Sequence, residues 1–466
     1  MSDNTFISNS IKVNSILLTN YRGEILDITQ MATEINIYES IYVNSIVGTV
    51  DIVDSNELLN FFPIIGEEYI SLDILLPGFD DSCNFELNKY RIYKISDREI
   101  KSDKIQTYKL WFTSIEMIRN TEIKSCKAWK EEVTSKMVKD IFRSIGSSKV
   151  LEVEQTVGLH NYISTNITPY EAINYLASHR SINLNKLSDY VFFESLDINN
   201  RTTKYNFKSL GTLCFSQESI AEFTYHPTMV NSDIGNNVLP YNIENISFKK
   251  GFDILEGKSN GLYNQTYIYY DMLRKRYVFQ KNTYEDIFSE TRNFKLELEK
   301  SNKMFVNNSN SPSEYLKFVY VSEFPSRIST SKEVNNILNK GIESSARRSS
   351  NEYISTSIED VMSNLHEKTL YRRDVLLQEF ETNKIYINDI SGSYKYTIGS
   401  IITLNKPNIV INKSNIVEKY GDNNDIFISG RYIIVKSRHR MTRNMGLNWW
   451  YKNYLEVSKN TYKNSL

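Results

Sequence analysis

Apolar and polar residues alternate with a period near two through the first quarter of the chain. Ile35, Ile37, Ile41, Val43, Ile46, Val50 and Ile52 are separated by Asn36, Tyr38, Asn44, Thr49 and Asp51, with slips of phase that suit β-bulges. Tyr69 to Leu76, halted by Pro77 and Gly78, and the runs Tyr90 to Ser96 and Thr107 to Ser114 carry the same alternation. The spacing predicts a first β domain over residues 1–118.

The period then lengthens. Met137, Val138, Ile141, Phe142 and Ile145 form a helical stripe behind a Thr134 or Ser135 cap, with Gly146 placed to stop it. Thr168-Pro169-Tyr170-Glu171 is a capping box with Pro in the first turn, followed by the buried-face residues Ile173, Leu176 and Ala177. Val191 to Ser195 and Tyr205 to Ser209 read as two strands joined by the polar turn Asp197 to Thr203, which makes residues 119–215 a small α/β domain. From Ile243, Ile246 and Phe248 through Thr266, Ile268 and Tyr270 to Tyr277, Val278 and Phe279, strands return, and residues 216–300 open a second β domain. Residues 301–380 are expected to be a loop and helical insertion, with a polar run to Pro312, a capping box at Thr330 and Glu333, and a stripe of Ile358, Val361, Met362 and Leu365 that continues through Leu370, Val375 and Leu376. Strands at Lys384 to Asn388, Ser400 to Leu404 and Gly430 to Val435 close the second β domain over residues 381–466. The fold class is mainly β with α insertions, α+β. No short repeat marks a solenoid or propeller.

Composition narrows what this fold serves. With 466 residues the chain holds two to four domains, and 17 Gly and 8 Pro exclude collagen-like or Pro/Gly-rich disordered architecture. A balance of 55 basic against 56 acidic side chains, net charge -1, gives no global grip on nucleic acid or anionic lipid. Cys83, Cys126 and Cys214 are far apart and fit free thiols of a reducing compartment. The start of the chain has no basic-then-apolar leader, and no apolar run reaches the roughly 20 residues a membrane helix needs.

Catalytic signatures are scarce. The five histidines, His160, His179, His226, His366 and His439, never fall at a metal-binding i, i+2 or i, i+4 spacing. Nucleotide cradles and the GxSxG nucleophile elbow are missing. His366-Glu367 points its two side chains about 100° apart on a helix and reads as a surface pair. Glu67-Glu68, Asp80-Asp81, Glu131-Glu132 and Glu359-Asp360 are adjacent carboxylates that read as solvated charge, not as the cleft-spanning pair of a glycosidase. Asp422-Asn423-Asn424-Asp425 has Phe427 and Ile433 where a calcium loop needs Gly and Glu, so it reads as a turn. No cofactor is implied. Lys436, Arg438, His439, Arg440 and Arg443, followed by Trp449, Trp450, Tyr451 and Tyr454, form the one basic and aromatic cluster, and it reads first as an outer or subunit-facing strand pair and second as a nucleic-acid surface.

Several segments, in order, resemble the central baseplate hub protein of contractile-tailed, T-even-like bacteriophages, a family related to the hub part of contractile secretion system spikes. They are Ile37 to Ser45, Gly48 to Ile52, Asp54-Ser55, Glu57-Leu58-Leu59, Phe62-Pro63-Ile64 and Gly66-Glu67-Glu68 at one end. Thr168 to Ile173, Phe192-Phe193-Glu194 and Phe207 to Leu210 follow, then Phe252-Asp253-Ile254, Gly261-Leu262-Tyr263 and Tyr270-Asp271. Gly399 to Ile402, Ser429 to Ile434 and Arg438-His439-Arg440 close the series.

The resemblance implies two tube-like β-barrel domains per subunit and a homotrimer that adapts a six-fold tail tube to a three-fold cell-puncturing spike. It implies a structural virion protein without enzymatic activity, assembled in the host cytoplasm into the tail baseplate. Its partners would be its own copies, tail tube proteins, a central spike protein, other baseplate proteins and genomic DNA in passage during ejection. The near-neutral charge suits such a passage, because a basic lumen would hold phosphates. Tyr38, Tyr42, Tyr432, Arg438, Arg440, Trp449 and Trp450 are the candidate interface residues. The rival readings are a tail-associated peptidoglycan hydrolase, the spike hub of a contractile secretion system, and nucleic-acid binding through Lys436 to Tyr454.

Overall fold

In a computed structural model the described residues are 10–77, 82–102, 104–185, 187–197, 202–216, 218–225, 242–243, 245–250, 253–262, 264–271, 276–283, 315–321, 370, 372–378, 380, 383–407, 424–425, 428–443 and 448–459. The alternation at the start of the chain becomes β1 (Ser10–Thr19), β2 (Ile25–Asp27), β3 (Ala32–Ser40), β4 (Val47–Asp54), the short helix α1 (Leu58–Phe61), β5 (Tyr69–Pro77), β6 (Ser82–Ser102) and β7 (Ile105–Thr113). An α/β unit follows, made of α2 (Ile115–Glu122), β8 (Ala128–Val133), α3 (Thr134–Ser144), β9 (Leu151–Val153), β10 (Leu159–Ile163), α4 (Pro169–His179), β11 (Tyr190–Asp197), β12 (Thr202–Ser209) and α5 (Leu210–Ser216). Then come β13 (Ser219–Tyr225), β14 (Asn242–Ile243), β15 (Asn245–Lys250), α6 (Ile254–Ser259), β16 (Asn264–Asp271), β17 (Arg276–Thr283) and β18 (Tyr315–Val321). The last strands are β19 (Lys384–Ser391), β20 (Ile401–Asn405), β21 (Gly430–Arg443) and β22 (Trp449–Ser458).

Fourteen strands form one mostly antiparallel sheet in the order β14-β13-β20-β21-β3-β4-β7-β6-β5-β1-β22-β19-β15, with β2 beside β1 and a further pairing of β21 with β22. This corrects the expected architecture of two tube-like β-barrel domains. The strand order ends at β14 and β15, the pairing of β21 with β22 links its interior, and the strands form one continuous sheet instead of two separate barrels. The reason lies in the length of the last two strands. Gly430 to Ile433 of β21 pair with β20, whereas Lys436 to Thr442 pair with β3 of the opening segment. β22 meets β1 over two residues only, Trp449 and Trp450 against Ile11 and Ser10, and pairs with β19 through its other end. Both strands are therefore common to the two halves.

Their alternation serves two cores. Met441, Trp449 and Tyr451 pack with Ile16, Ile35, Ile37, Val50, Leu110 and Phe112 in the first, while Tyr432, Ile434, Leu455 and Val457 pack with Phe223, Ile387, Ile402 and Leu404 in the second. Each such side chain, fully removed from water, contributes about 1.5–3 kcal/mol. Gly48 on β4 is dictated by this packing, since a Cβ there would lie 2.1 Å from the Phe112 ring.

In the α/β unit the mixed sheet β11-β12-β9 is covered by α3 and α4, whose Met137, Val138, Ile141, Phe142, Ile173 and Leu176 meet Phe192, Tyr205 and Phe207. α4 starts as its capping box prescribes, with Glu171 N–H donating to Thr168 Oγ1 and Thr168 N–H donating to Glu171 Oε2. α3 differs. Thr134 is its first residue instead of its cap, because the Thr134 hydroxyl donates to the Arg180 carbonyl at 2.8 Å. Gly146 ends that helix region in the left-handed conformation, φ 68°.

In the segment expected to be loop and helix, β18 runs parallel to β16 in a three-stranded sheet with β17, and residues 372–378 are helical. Val375 and Leu376 are buried there. The polar run from Ser301 to Pro312, the Thr330 box and the stripe from Ile358 to Leu365 lie outside the described residues, as do His226, His366, Asp80-Asp81 and Glu359-Asp360.

Candidate contact surface and buried polar seams

Adjacent strands β3, β21 and β22 place side chains of equal phase on one outer face. The register sets Tyr38 against Arg438 and Asn36 against Arg440, then Arg438 against Tyr454, Arg440 against Lys452 and Thr442 against Trp450. The Arg438 guanidinium lies 5.7 Å from the Tyr38 ring centre and 5.3 Å from that of Tyr454, within cation–π range. Arg440 grips Glu34 with both arms, Nε to Oε1 at 3.1 Å and Nη2 to Oε2 at 2.8 Å, the planar fork that suits a carboxylate. Arg438 adds 3.3 Å to Glu34 and 2.9 Å to the Asn36 amide oxygen. Burial would raise the Glu34 carboxyl, but the hydrogen bonds from Arg440 and Asn36 and the two guanidinium charges hold it below the ordinary value. At the next strand, Tyr454 and Lys452 donate to Asp389 at 2.6 and 3.3 Å.

Every cation of the cluster thus has an acceptor inside the chain. Lys436 meets Glu456 at 2.9 Å, and Arg443 donates to the backbone and side-chain oxygens of Gln30 at 2.7 and 2.8 Å. Phosphate binding draws on cations whose counterions are free to leave; these cations are already engaged by carboxylates and carbonyls. The band is a half-exposed, aromatic surface whose cations are engaged within the chain.

The structure brings Tyr38, Arg438, Arg440 and Trp450 to this face and puts the other candidates elsewhere. Tyr42 is exposed on the turn after β3, with the Lys384 ammonium 5.5 Å from its ring centre. Trp449 faces the first core, and Tyr432 is wholly buried in the second, its hydroxyl donating to the Ile428 carbonyl. Sequence reasoning missed Glu34, Asn36 and Asp389. The phase of β3 held the signal for two of them, since residues 34, 36 and 38 share one side of a strand.

Two polar seams lie beneath the surface. In the first, His439 Nε2 is 3.1 Å from Glu39 Oε2 and 3.1 Å from Ser437 Oγ, and Nδ1 is 2.6 Å from the Tyr451 hydroxyl and 2.9 Å from Asn453 Nδ2. The Asn453 amide is oriented by Ser393 N–H, which donates to its Oδ1 at 2.7 Å. Its nitrogen therefore donates to Nδ1, and the imidazole proton sits on Nε2, facing Glu39. Glu39 also accepts from the Leu196 amide at 2.7 Å and Thr397 Oγ1 at 3.0 Å. The residue types are those of a Ser-His-acid hydrolase, but the wiring is not. A triad holds its acid and its serine on opposite ring nitrogens. Here both share Nε2, the serine proton goes to the Tyr396 carbonyl at 2.7 Å, and every member is buried.

The second seam joins the sheet to the α/β unit. Glu194 of β11 accepts from the Ile46 amide, Ser114, Thr203 Oγ1 and Lys149 Nζ, the last at 2.7 Å. The same ammonium reaches Glu116 of α2 at 2.9 Å and lies 5.1 Å from the Tyr90 ring centre. Burial would lower the Lys149 ammonium, but Tyr90, Glu194 and Glu116 outweigh it and hold the group above the ordinary lysine value. A glycosidase pair needs one protonated carboxyl beside a cleft; these two carboxylates are buried and share one cation. Among the described residues no group of His, Cys, Asp and Glu is arranged to hold a metal ion, and no helix is long and apolar enough to cross a membrane.

No family model matches the chain, and no curated protein matches its sequence. Solved structures similar to it include a tail protein from Neisseria meningitidis, with a TM-score of 0.49, 10% identity and 96% of each chain covered. A 43 kDa tail protein of prophage MuSo2 from Shewanella oneidensis has a TM-score of 0.46 and 8% identity, covering 96% of this chain and 98% of that one. A chain of the Francisella PdpA-VgrG complex has a TM-score of 0.46 and 12% identity, covering 99% of this chain and 60% of that one.

Proposed function

We propose that the chain is a structural virion protein, the homotrimeric hub of a contractile-tail baseplate, which adapts a six-fold tail tube to a three-fold spike and lets DNA pass during ejection. The observation that carries this reading is the meeting of the two ends of the sequence resemblance. Ile37 to Ser40 near the start and Lys436 to His439 near the end are paired rungs of adjacent strands, Tyr38 with Arg438 and Ile37 with His439. Segments that resemble one family in sequence order are thereby parts of one sheet. The polar residues of that sheet support the same role, because the Glu39–His439 cluster is spent on joining strands and Arg438 and Arg440 are engaged by Glu34 and Asn36 within the chain. In this reading the chain contributes no catalysis of its own, and its partners are its own copies, tube and spike proteins and neighbouring baseplate subunits.

Light scattering of the purified chain tests the proposal. A trimer at micromolar concentration is the expected result, and a strict monomer that binds neither tube nor spike protein would overturn it. A zymogram on peptidoglycan tests the absence of catalysis, with no clearing by the chain alone as the expected outcome.

A further inference from the structure

The band of β3, β21 and β22 is part of a wider face. Its side chains continue in phase across β4, β7 and β6, so that Lys94 stands opposite Trp111, Trp111 opposite Thr49, Thr49 opposite Asn36, Asn36 opposite Arg440 and Arg440 opposite Lys452. The next row sets Ser96 against Lys109, Lys109 against Asp51 and Asp51 against Glu34. Six strands at a spacing of about 4.8 Å make a surface about 24 Å wide. Lys109 and Asp51, Arg438 and Arg440 with Glu34, and Lys452 with Asp389 keep between 20% and 43% of their side-chain surface in water, so a large ligand can reach them.

Cations interleaved with Trp111, Tyr38 and Tyr454 are the pattern with which proteins track a phosphate backbone and stack bases. Here each cation is already taken. Lys94 Nζ lies 5.5 Å from the Trp111 ring centre, and the indole N–H donates to Ser96 Oγ at 2.8 Å. Lys109 Nζ is 3.5 Å from Asp51 and 3.9 Å from Asp97, both guanidinium groups are on Glu34, and Lys452 is on Asp389. Two of these carboxylates come from irregular positions. Asp97 lies in the register shift between Ser96 and Glu99 of β6, and Asp389 in that between Ile387 and Ile390 of β19. Both have left-handed backbone, φ 53° and 58°, which Asp tolerates better than most residues. Bulges re-aim side chains; at each margin of the face one turns a carboxylate onto a lysine.

We propose that Glu34, Asp51, Asp97 and Asp389 mask this face, so that duplex DNA slides over it without being held. The inference rests on the reading of the chain as a hub through which DNA passes. A cation retains a phosphate by releasing a mobile counterion. A carboxylate fixed in the same sheet cannot leave, so that gain is lost. Glu34 carries the largest share, because it occupies two guanidinium groups, one of them through the planar fork that would suit a phosphate equally well. A subunit contact would instead place these charges at its centre, where protein interfaces are depleted of them.

The test is the fluorescence anisotropy of a labelled linear DNA duplex titrated with the full chain at about 50 mM salt and again at about 200 mM. Glu34→Gln keeps the shape and removes the charge, and it is expected to bind the duplex about tenfold more tightly than the native chain at the lower salt. Two freed phosphate contacts should then weaken about tenfold between the two salt concentrations. Adding Arg438→Gln and Arg440→Gln to Glu34→Gln should abolish the gain. Asp389→Asn, at the more exposed margin, frees Lys452 and should give a smaller gain of the same sign, which decides the matter where Glu34→Gln fails to fold. Native chain and variants of equal affinity would overturn the mask. If that chain is a trimer by light scattering, the hub reading stands without it; a monomeric native chain removes the hub reading whatever the duplex does.

Discussion

Lys149 and Lys459 are both amines taken out of water, and they end in opposite states. Lys149 sits between Glu116 and Glu194 with its Nζ within 2.9 Å of each, so burial strengthens its attachment to the charges that hold it. Lys459 donates to the Ser429 carbonyl and lies over the Tyr432 ring, and Asp425, which also meets Lys406, pulls its ammonium upward less than burial pushes it down. Burial opposes the charged form at both, and the surrounding charges outweigh it at Lys149, whereas at Lys459 burial prevails. The first is a rivet between the sheet and the α/β unit, and the second is a buried amine that holds its proton weakly.

The contrast is broken most sharply by Lys149→Met. Removing the ammonium leaves two carboxylates buried together, a loss of about 3–5 kcal/mol that chemical denaturation should register as a large fall in midpoint. Glu39→Ala comes next, since it strips an acceptor from the Leu196 amide, Thr397 and His439 at once. Leaving buried donors unmet costs about 1–3 kcal/mol, read by the same melt. The pH response sharpens the comparison further. The raised Lys149 contributes stability that is complete below the ordinary lysine value of about 10.4 and is lost only as pH climbs through its still higher folded value. Lys459, pushed down to about 7, has shed in the folded state a proton that the unfolded chain keeps to about 10.4, so its contribution rises with pH between those values. Lys459→Met should therefore flatten the stability profile between neutrality and pH 9.5, whereas Lys149→Met should lower it without flattening it. At the small end, Thr168→Ala removes half of a capping box and should cost about 1 kcal/mol. Arg440→Ala, on the half-exposed band, should cost about 1 kcal/mol or less in the isolated chain; if the band is a subunit contact, its larger effect will appear in the mass of the assembly.

Sequence reading reached what local rules govern. Thr168, Pro169 and Glu171 specify a helix start within four residues, and the alternation through Ile35, Ile37 and Val50 marks a strand with one buried face. It could not see that β3 takes β21 as its neighbour, since no turn links them and the pairing spans some four hundred positions. For the same reason it divided the strands between two barrels, when β21 and β22 are long enough to feed both cores. Arg438 and Arg440 were visible as a basic pair. That Glu34 and Asn36 engage them became apparent only once the register was known. The seam of Glu116, Lys149 and Glu194 left no trace in spacing at all, because a helix, a connecting loop and a strand each supply one residue to it.

The pairing of β3 with β21 has a consequence for how the protein is made. A chain still on the ribosome has its opening strands complete and their partner unsynthesised, so the first core lacks Met441, Trp449 and Tyr451 until some four hundred further residues have been added. Contacts so distant in sequence form late and slowly. A prematurely terminated product would keep an open strand edge and an unfinished core, and could not offer the composite surface that β3, β21 and β22 build together. Translation as far as β22 is in this way a condition for that surface to exist.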